Sequence, residues 1–405
     1  MSIRTAAFLV ACLAGVSSAR AQSWPSEPVA LACGRVTIGA DVSASFGGSD
    51  PGFFNFTDYD HSALRTLRID VTGAVNAGDH VTLLAELRTE NVGGVVPYAL
   101  YVRIRPWANR NFDIQAGRVP PTFGAFARRT YANDNPLIGY PLAYQYLTTL
   151  RPDAVPASAD ELLSKQGLGW RLRYSVGDGR PDRGVPVVNA FRWDTGVQAH
   201  AGAANGRVNV AASVATGTLS NPLFSDDNSG QQVAGRLVLR PVSGLIVGTS
   251  VARGPFVSDA LARAAAREGR AGEFTQSAWG ADVEYSRGYY LVRLESIVSA
   301  WRLPRVRAPF LDVPLRAVST SIEGRYKITP GFYAAARVDY LGFSDLAGTQ
   351  GTAPWAAPVT RVEVGAGYSI LRNLQAKASV QRDARDGGRL QRRANLGALQ
   401  MVFWF

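Results

Sequence analysis

Apolar and polar residues alternate with a period of two through segment after segment of this 405-residue chain, and that rhythm restricts the fold more than any other feature. In "LRTLRIDVTGAV", Leu67, Ile69, Val71 and Val75 fall on one face and Arg68, Asp70 and Thr72 on the other. "DHVTLLAELRTE" sets Val81, Leu83, Ala85 and Leu87 against Thr82, Glu86, Arg88 and Glu90; "YALYVRIRP" sets Leu100, Val102 and Ile104 against Tyr101, Arg103 and Arg105. Successive side chains of a strand point to opposite faces, so each segment reads as a β-strand with one apolar and one charged face. The last ten residues, "LGALQMVFWF", keep the pattern to the final position, with Leu399, Met401, Phe403 and Phe405 on one face and Ala398, Gln400, Val402 and Trp404 on the other. Chain ends fray into water, so a terminal strand this apolar needs an apolar environment, and lipid is one.

The opening residues point to export. "MSIRTAAFLVACLAGVSSARAQS" has Arg4, an apolar run over 6–16, and a small-residue cleavage site at Ala19-Arg20-Ala21, which predicts a secretory signal peptide over 1–21 and a mature chain over 22–405. A lipoprotein-type box at Leu9-Val10-Ala11-Cys12 is a rival reading, but it would leave a very short signal. Beyond residue 22 no apolar stretch approaches the ~20 residues of a transmembrane helix. An exported soluble protein and a β-barrel, whose strands conceal their hydrophobicity in alternation, both remain.

The connections favour the barrel. Short turns near 76–79, 106–110, 241–244, 286–288, 329–331 and 372–373 alternate with longer polar loops near 47–63, 219–230, 254–275, 302–315, 344–358 and 384–393, the habit of outer-membrane barrels. Aromatic residues on the apolar phase beside the turns (Trp107, Tyr326, Phe332, Tyr368) suit an interfacial girdle. Strands are expected near 34–46, 64–76, 79–91, 96–106, 111–119, 191–203, 206–218, 231–241, 243–253, 276–286, 288–301, 316–328, 331–343, 359–371, 373–383 and 394–405. "GLGWRLRYSV" (167–176) alternates too, but counting it would give an odd number and place a short turn on the long-loop side. The expected fold is therefore all-β: a transmembrane antiparallel β-barrel of about 16 strands, with 119–190 as one long inserted loop.

The chain resembles bacterial outer-membrane porins, and within them the phosphate-selective porin O and P family. "DIQAGRVPPTFG" (113–124) is similar to that family's strand with a Pro-rich exit, and "RWDTGVQAHAGAANGRVNVAASVATG" (192–217) to its Gly-Val-Gln hairpin. Phe405 and Phe403 resemble the terminal signal read by barrel-assembly machinery. Pro120 stands where the family usually carries a lysine. The resemblance implies location in the outer membrane of a Gram-negative-type bacterium, passive diffusion of small hydrophilic solutes, contact with outer-membrane lipid and lipopolysaccharide, and a homotrimer as one assembly.

The formal net charge is +11, and the only lysines are Lys165, Lys327 and Lys377. An exported chain with no basic stripe interleaved with aromatics offers nothing to nucleic acid. Arginine in a wet pore is the more economical use, although most polar-phase arginines have acids enough for cross-strand pairs. The pore-lining or constricting residues are expected to be Arg103, Arg105, Arg192 and Arg236 on the wall, with Arg128, Arg129, Arg171 and Arg173 from the insertion. Six prolines (Pro120, Pro121, Pro136, Pro141, Pro152, Pro156) stiffen that insertion, and its aromatics need a surface. It is expected to fold back into the bore and bring its four arginines close to Arg103 and Arg105, giving a weak anion preference. His61, His80 and His200 are scattered and no G-x-S-x-G occurs, so no catalytic triad, metal site or cofactor is expected. The alternative function is a structural or adhesive barrel with a plugged interior; a soluble exported binding protein fits the terminal Phe poorly.

Overall fold

The computed structural model describes residues 25–56, 62–107, 109–265 and 273–405, the side chain of Arg128 excepted. The expected signal peptide and His61 lie outside the described residues.

Period-two segments become sixteen long antiparallel strands: β1 (Val36–Gly47), β2 (Leu67–Asn76), β3 (Val81–Glu90), β4 (Val95–Ile104), β5 (Phe112–Val119), β6 (Asp194–Ala203), β7 (Val208–Ala215), β8 (Gln232–Leu239), β9 (Leu245–Pro255), β10 (Thr275–Arg287), β11 (Tyr290–Trp301), β12 (Leu315–Thr329), β13 (Phe332–Phe343), β14 (Val359–Leu371), β15 (Leu374–Arg385) and β16 (Arg393–Trp404). Each pairs with its neighbours in sequence, and β1 pairs with β16 as well as β2, so the sheet closes on itself. Closure removes the sheet edges that a bilayer could not satisfy. A three-residue strand, Val29–Leu31, lies against the start of β1. Every expected strand is present, and 167–176 belongs to the insertion, where Val176–Gly177 pairs only with Ala154–Val155.

The two faces separate as the alternation requires. Leu67, Val71 and Val75 are exposed on the outside, whereas Arg68 and Asp70 between them are buried inside. The terminal strand does the same: Leu399 and Met401 are exposed, and Ala398, Gln400 and Val402 are buried. Phe405 exchanges backbone hydrogen bonds with Ala40 of β1, each 3.0 Å, so the final residue takes part in closing the barrel. Trp107, Tyr326, Phe332 and Tyr368 all face outward at the short-turn end, where Tyr290 and Tyr326 sit 4.8 Å apart. In outer-membrane barrels the short-turn end is the periplasmic one. The tightest turns use glycine where the backbone needs it: Pro330 presets one turn dihedral, and Gly331 takes φ +80°, a conformation other residues rarely adopt.

Residues 120–193 leave β5 and return to β6 without joining the barrel wall. Phe126, Tyr140, Tyr144 and Phe191 form an aromatic cluster, with ring centroids 4.9–5.6 Å apart. That cluster is continuous with small wall residues such as Ala234, Ala252, Ala278 and Ala317. The hydrophobic core of the molecule thus lies inside the barrel, and small inward residues leave room for it.

Candidate functional site: the bore and its insertion

The wall of the bore carries a ladder of ion pairs set by strand register. Arg68 stands opposite Glu90, Asp70 opposite Arg88, Glu284 opposite Arg293, Glu323 opposite both Arg293 and Arg337, Arg337 opposite Glu363, and Arg361 opposite Asp383. Each of these register pairs is an ion pair within 3.4 Å. Facing side chains of adjacent strands sit close enough to interact directly, so alternation plus register is sufficient to build the ladder.

What alternation could not show is how the ladder holds the insertion. Arg361 donates from Nε to Asp383 (2.7 Å), from Nη1 to the Tyr140 carbonyl (2.9 Å) and Gln145 Oε1 (3.0 Å), and from Nη2 to the Phe54 carbonyl (2.8 Å). Arg68 donates to the Thr130 carbonyl (3.0 Å) and the Tyr140 hydroxyl (2.9 Å). Lys377 donates to the carbonyls of Ala132 and Asn135. Carboxylates receive the insertion's donors: Glu363 accepts from Gly139 N (3.0 Å), and Glu295 accepts from Ala125 N (2.6 Å) and the Tyr144 hydroxyl (2.9 Å). Irregular backbone at membrane depth must have its polar groups satisfied by protein, and here charged wall residues supply the partners.

The insertion reaches far down one side. Tyr333, the second residue of β13 from the short-turn end, donates to the Pro136 carbonyl (2.9 Å). At the long-loop end, 150–184 form a cap: Arg307 N bonds to Ala157 O, Thr349 bonds to Asp160, and Phe53 stacks on Trp170 at 4.5 Å.

Inside the barrel, cavities follow the wall from β6 to β12. A cavity of about 240 Å³ is lined by the charged side chains of Arg129, Arg236, Arg293, Asp282, Glu284 and Glu295, among others. It shares Arg240, Ile246 and Glu284 with a second cavity of about 320 Å³ at the short-turn end, which Arg207 also lines. A small cavity of about 30 Å³, lined by Thr122, Asn189, Arg192 and Ser213, lies along the same wall. Gly124 N bonds to Ser250 Oγ (3.1 Å), tying the insertion to this wall.

The expected site residues therefore separate. Arg236 and Arg129 line the central cavity, each held by a carboxylate: Arg236 by Asp282 at 2.7 Å and Arg129 by Glu284 at 2.8 Å. Arg192 lines the small cavity, but from the end of the insertion and not from the wall, because β6 begins only at Asp194. Arg103 and Arg105 lie where β4 runs out into the short turn. Arg171 and Arg173 are exposed in the cap at the long-loop end, so the expected meeting of these two with Arg103 and Arg105 does not occur; the insertion splits into a descending arm and a cap, and its arginines go to different ends. The side chain of Arg128 lies outside the described residues. Arg361, Lys377 and Glu295 carry more of the interior than sequence reasoning assigned them. Parity put them on the inner face, but nothing in spacing shows which carbonyl or amide they meet. His200 pairs with Asp113 (3.1 Å) on the wall, and His80 Nδ1 lies 2.7 Å from the Arg105 carbonyl oxygen.

No family model matches the chain, and no curated protein matches it. Solved structures do. The chain is similar to OmpT of Vibrio cholerae, folded in vitro and in trimer form, at 11% identity and TM-score 0.52, over 91% of this chain and 99% of that one. It is similar to OmpF of Salmonella typhi in complex with daunomycin at 10% identity and TM-score 0.53, over 91% and 97%. It is also similar to the anion-selective porin from Comamonas acidovorans at 9% identity and TM-score 0.54, over 91% and 99%. The fold is that of outer-membrane porin barrels.

Proposed function

We propose that this barrel is a narrow diffusion channel for small hydrophilic solutes with a weak preference for anions. The observation that carries the reading is the run of cavities along β6–β12, lined by charged side chains, where shared lining residues join the central cavity to the short-turn mouth. Apart from Arg240, which it shares with the mouth, the central cavity has no excess of cations: Arg129, Arg236 and Arg293 face Asp282, Glu284, Glu295 and Glu323. A bias needs charge without a partner, and the short-turn mouth provides it. Among the described residues, Arg103, Arg105, Arg207, Arg240 and Lys327 have no carboxylate within salt-bridge distance. A ring of uncompensated cations at a narrow opening raises the local concentration of anions. The anion selectivity of the Comamonas acidovorans porin and the trimeric form of OmpT suit this reading, and a homotrimer in a lipid and lipopolysaccharide membrane, assembled by the barrel-assembly machinery, is part of it. The segments 113–124 and 192–217 supply the link to phosphate-selective porins, without implying phosphate as the solute.

A second reading is a structural barrel with a closed interior, favoured by the depth to which the insertion descends to Tyr333. The reversal potential in a salt gradient decides between selectivity mechanisms. Arg207→Gln with Arg240→Gln should move it toward cation preference while leaving the buried ladder intact. An unchanged reversal potential would show that the mouth does not set selectivity.

A further inference from the structure

The outer surface carries a feature that a plain lipid-facing wall does not need. Two adjacent cross-strand rows run diagonally over β12–β16: Gly324, Ala336, Val364, Val380 and Gly397 in one, and Tyr326, Ala334, Ala366, Ala378 and Leu399 in the other. Small residues cluster in them, and an open apolar trough of about 1550 Å³ results. Larger side chains stand on both banks, with Ile322, Val338 and Val362 on the long-loop side and Phe332, Tyr368 and Met401 on the other. A Cβ added at Gly324 or Gly397 would meet no protein atom within 4 Å. The barrel itself therefore does not require glycine at either place. Glycine inside a strand weakens it and often marks close approach by a ligand.

The trough begins directly below a pair of arginines. Arg382 lies two residues beyond Val380 on β15, and Arg393 lies four residues before Gly397 on β16. Register sets Arg382 opposite Asn395 and Arg393 opposite Ala384, so the two arginines are diagonal neighbours on the outward face. Both are exposed at the long-loop end, and among the described residues no carboxylate lies within salt-bridge distance of either. Arg65, also exposed, lines the same end of the trough. Like charges side by side on a sheet repel unless an anion lies between them, and arginine's planar fork suits phosphate.

We propose that this face is a binding site for a phosphorylated, multiply acylated lipid of the outer leaflet, with its phosphate on Arg382 and Arg393 and an acyl chain in the trough. The proposal rests on the membrane location of the barrel and deepens the lipid contact named above; it does not depend on conduction. The charge is at the headgroup end and the small residues at the hydrocarbon end, which is the polarity such a lipid has. A second copy of the chain would cover the small residues but would leave the paired arginines uncompensated.

Native mass spectrometry of the folded full-length barrel tests it, with three probes: lipid A, its monophosphoryl form and phosphatidylethanolamine. One lipid A should be retained per barrel. Retention should fall about tenfold in Arg382→Gln with Arg393→Gln, and also in Ala378→Phe with Gly397→Phe, which fills the trough and spares the arginines. Phosphatidylethanolamine should not respond to the arginine changes. Undiminished lipid A retention in either double variant overturns the proposal, as does a trough variant that changes only the number of chains per assembly. The heat-induced mobility shift on gels confirms that each variant is folded, and neither pair touches the bore, so failure here leaves the channel reading standing.

Discussion

Arg361 shows how a single side chain can tie three parts of the molecule together. Its guanidinium spans the wall acid Asp383, the insertion at Tyr140 and Gln145, and the first long loop at Phe54. Both Arg361 and Asp383 are fully buried. Removing one partner of a buried pair strands the other, at a cost of about 3–5 kcal/mol. Arg361→Met should therefore lower the temperature at which the folded band is lost on semi-native gels. Arg361→Lys should fall between the two, because an ammonium keeps the charge but cannot fork to several acceptors. A Met variant with the wild-type transition would show that these bonds are dispensable. Alternation made the inward position of Arg361 legible, together with the expectation of a cross-strand partner. Its bonds to Tyr140, Gln145 and Phe54 were not legible, since they depend on the path of loops whose sequence has no period.

At the scale of elements, the strands were readable because a side-chain period of two is imposed by backbone geometry itself. The signal survives in "RVEVGAGYSI" as clearly as in β2, even though glycine interrupts it. Parity also settled 167–176, where alternation alone misleads: most of that segment packs in the cap. The insertion itself was legible only as a stiff aromatic-rich segment that needed a surface. Its division into a descending arm and a cap follows from which wall groups capture its backbone, and that is tertiary information. Topology is testable directly. In a Cys33→Ser background, since Cys33 is exposed, cysteines at Ala77 and Arg287 should react with an impermeant reagent only from the periplasmic side. Cysteines at Asp226 and Arg389 should react only from outside. Labelling of Ala77→Cys and Asp226→Cys from one side would break the even-strand arrangement.

As a whole, the molecule is a closed barrel whose hydrophobic core lies within, with cavities lined by charged residues along β6–β12. The ladder is largely a structural anchor, and on the proposed reading the cations without a carboxylate at the short-turn mouth would set selectivity. On the same reading the cavity that Ser321 lines, between the wall and the insertion, would set the width of the route. Single-channel recording of the purified full-length protein in planar bilayers tests this most directly, with Ser321→Trp measured beside it. The account predicts discrete, anion-preferring steps for the native chain and a severalfold smaller conductance once an indole occupies the cavity. Folded, heat-modifiable protein that gives no steps, or steps that Ser321→Trp leaves unchanged, would contradict it.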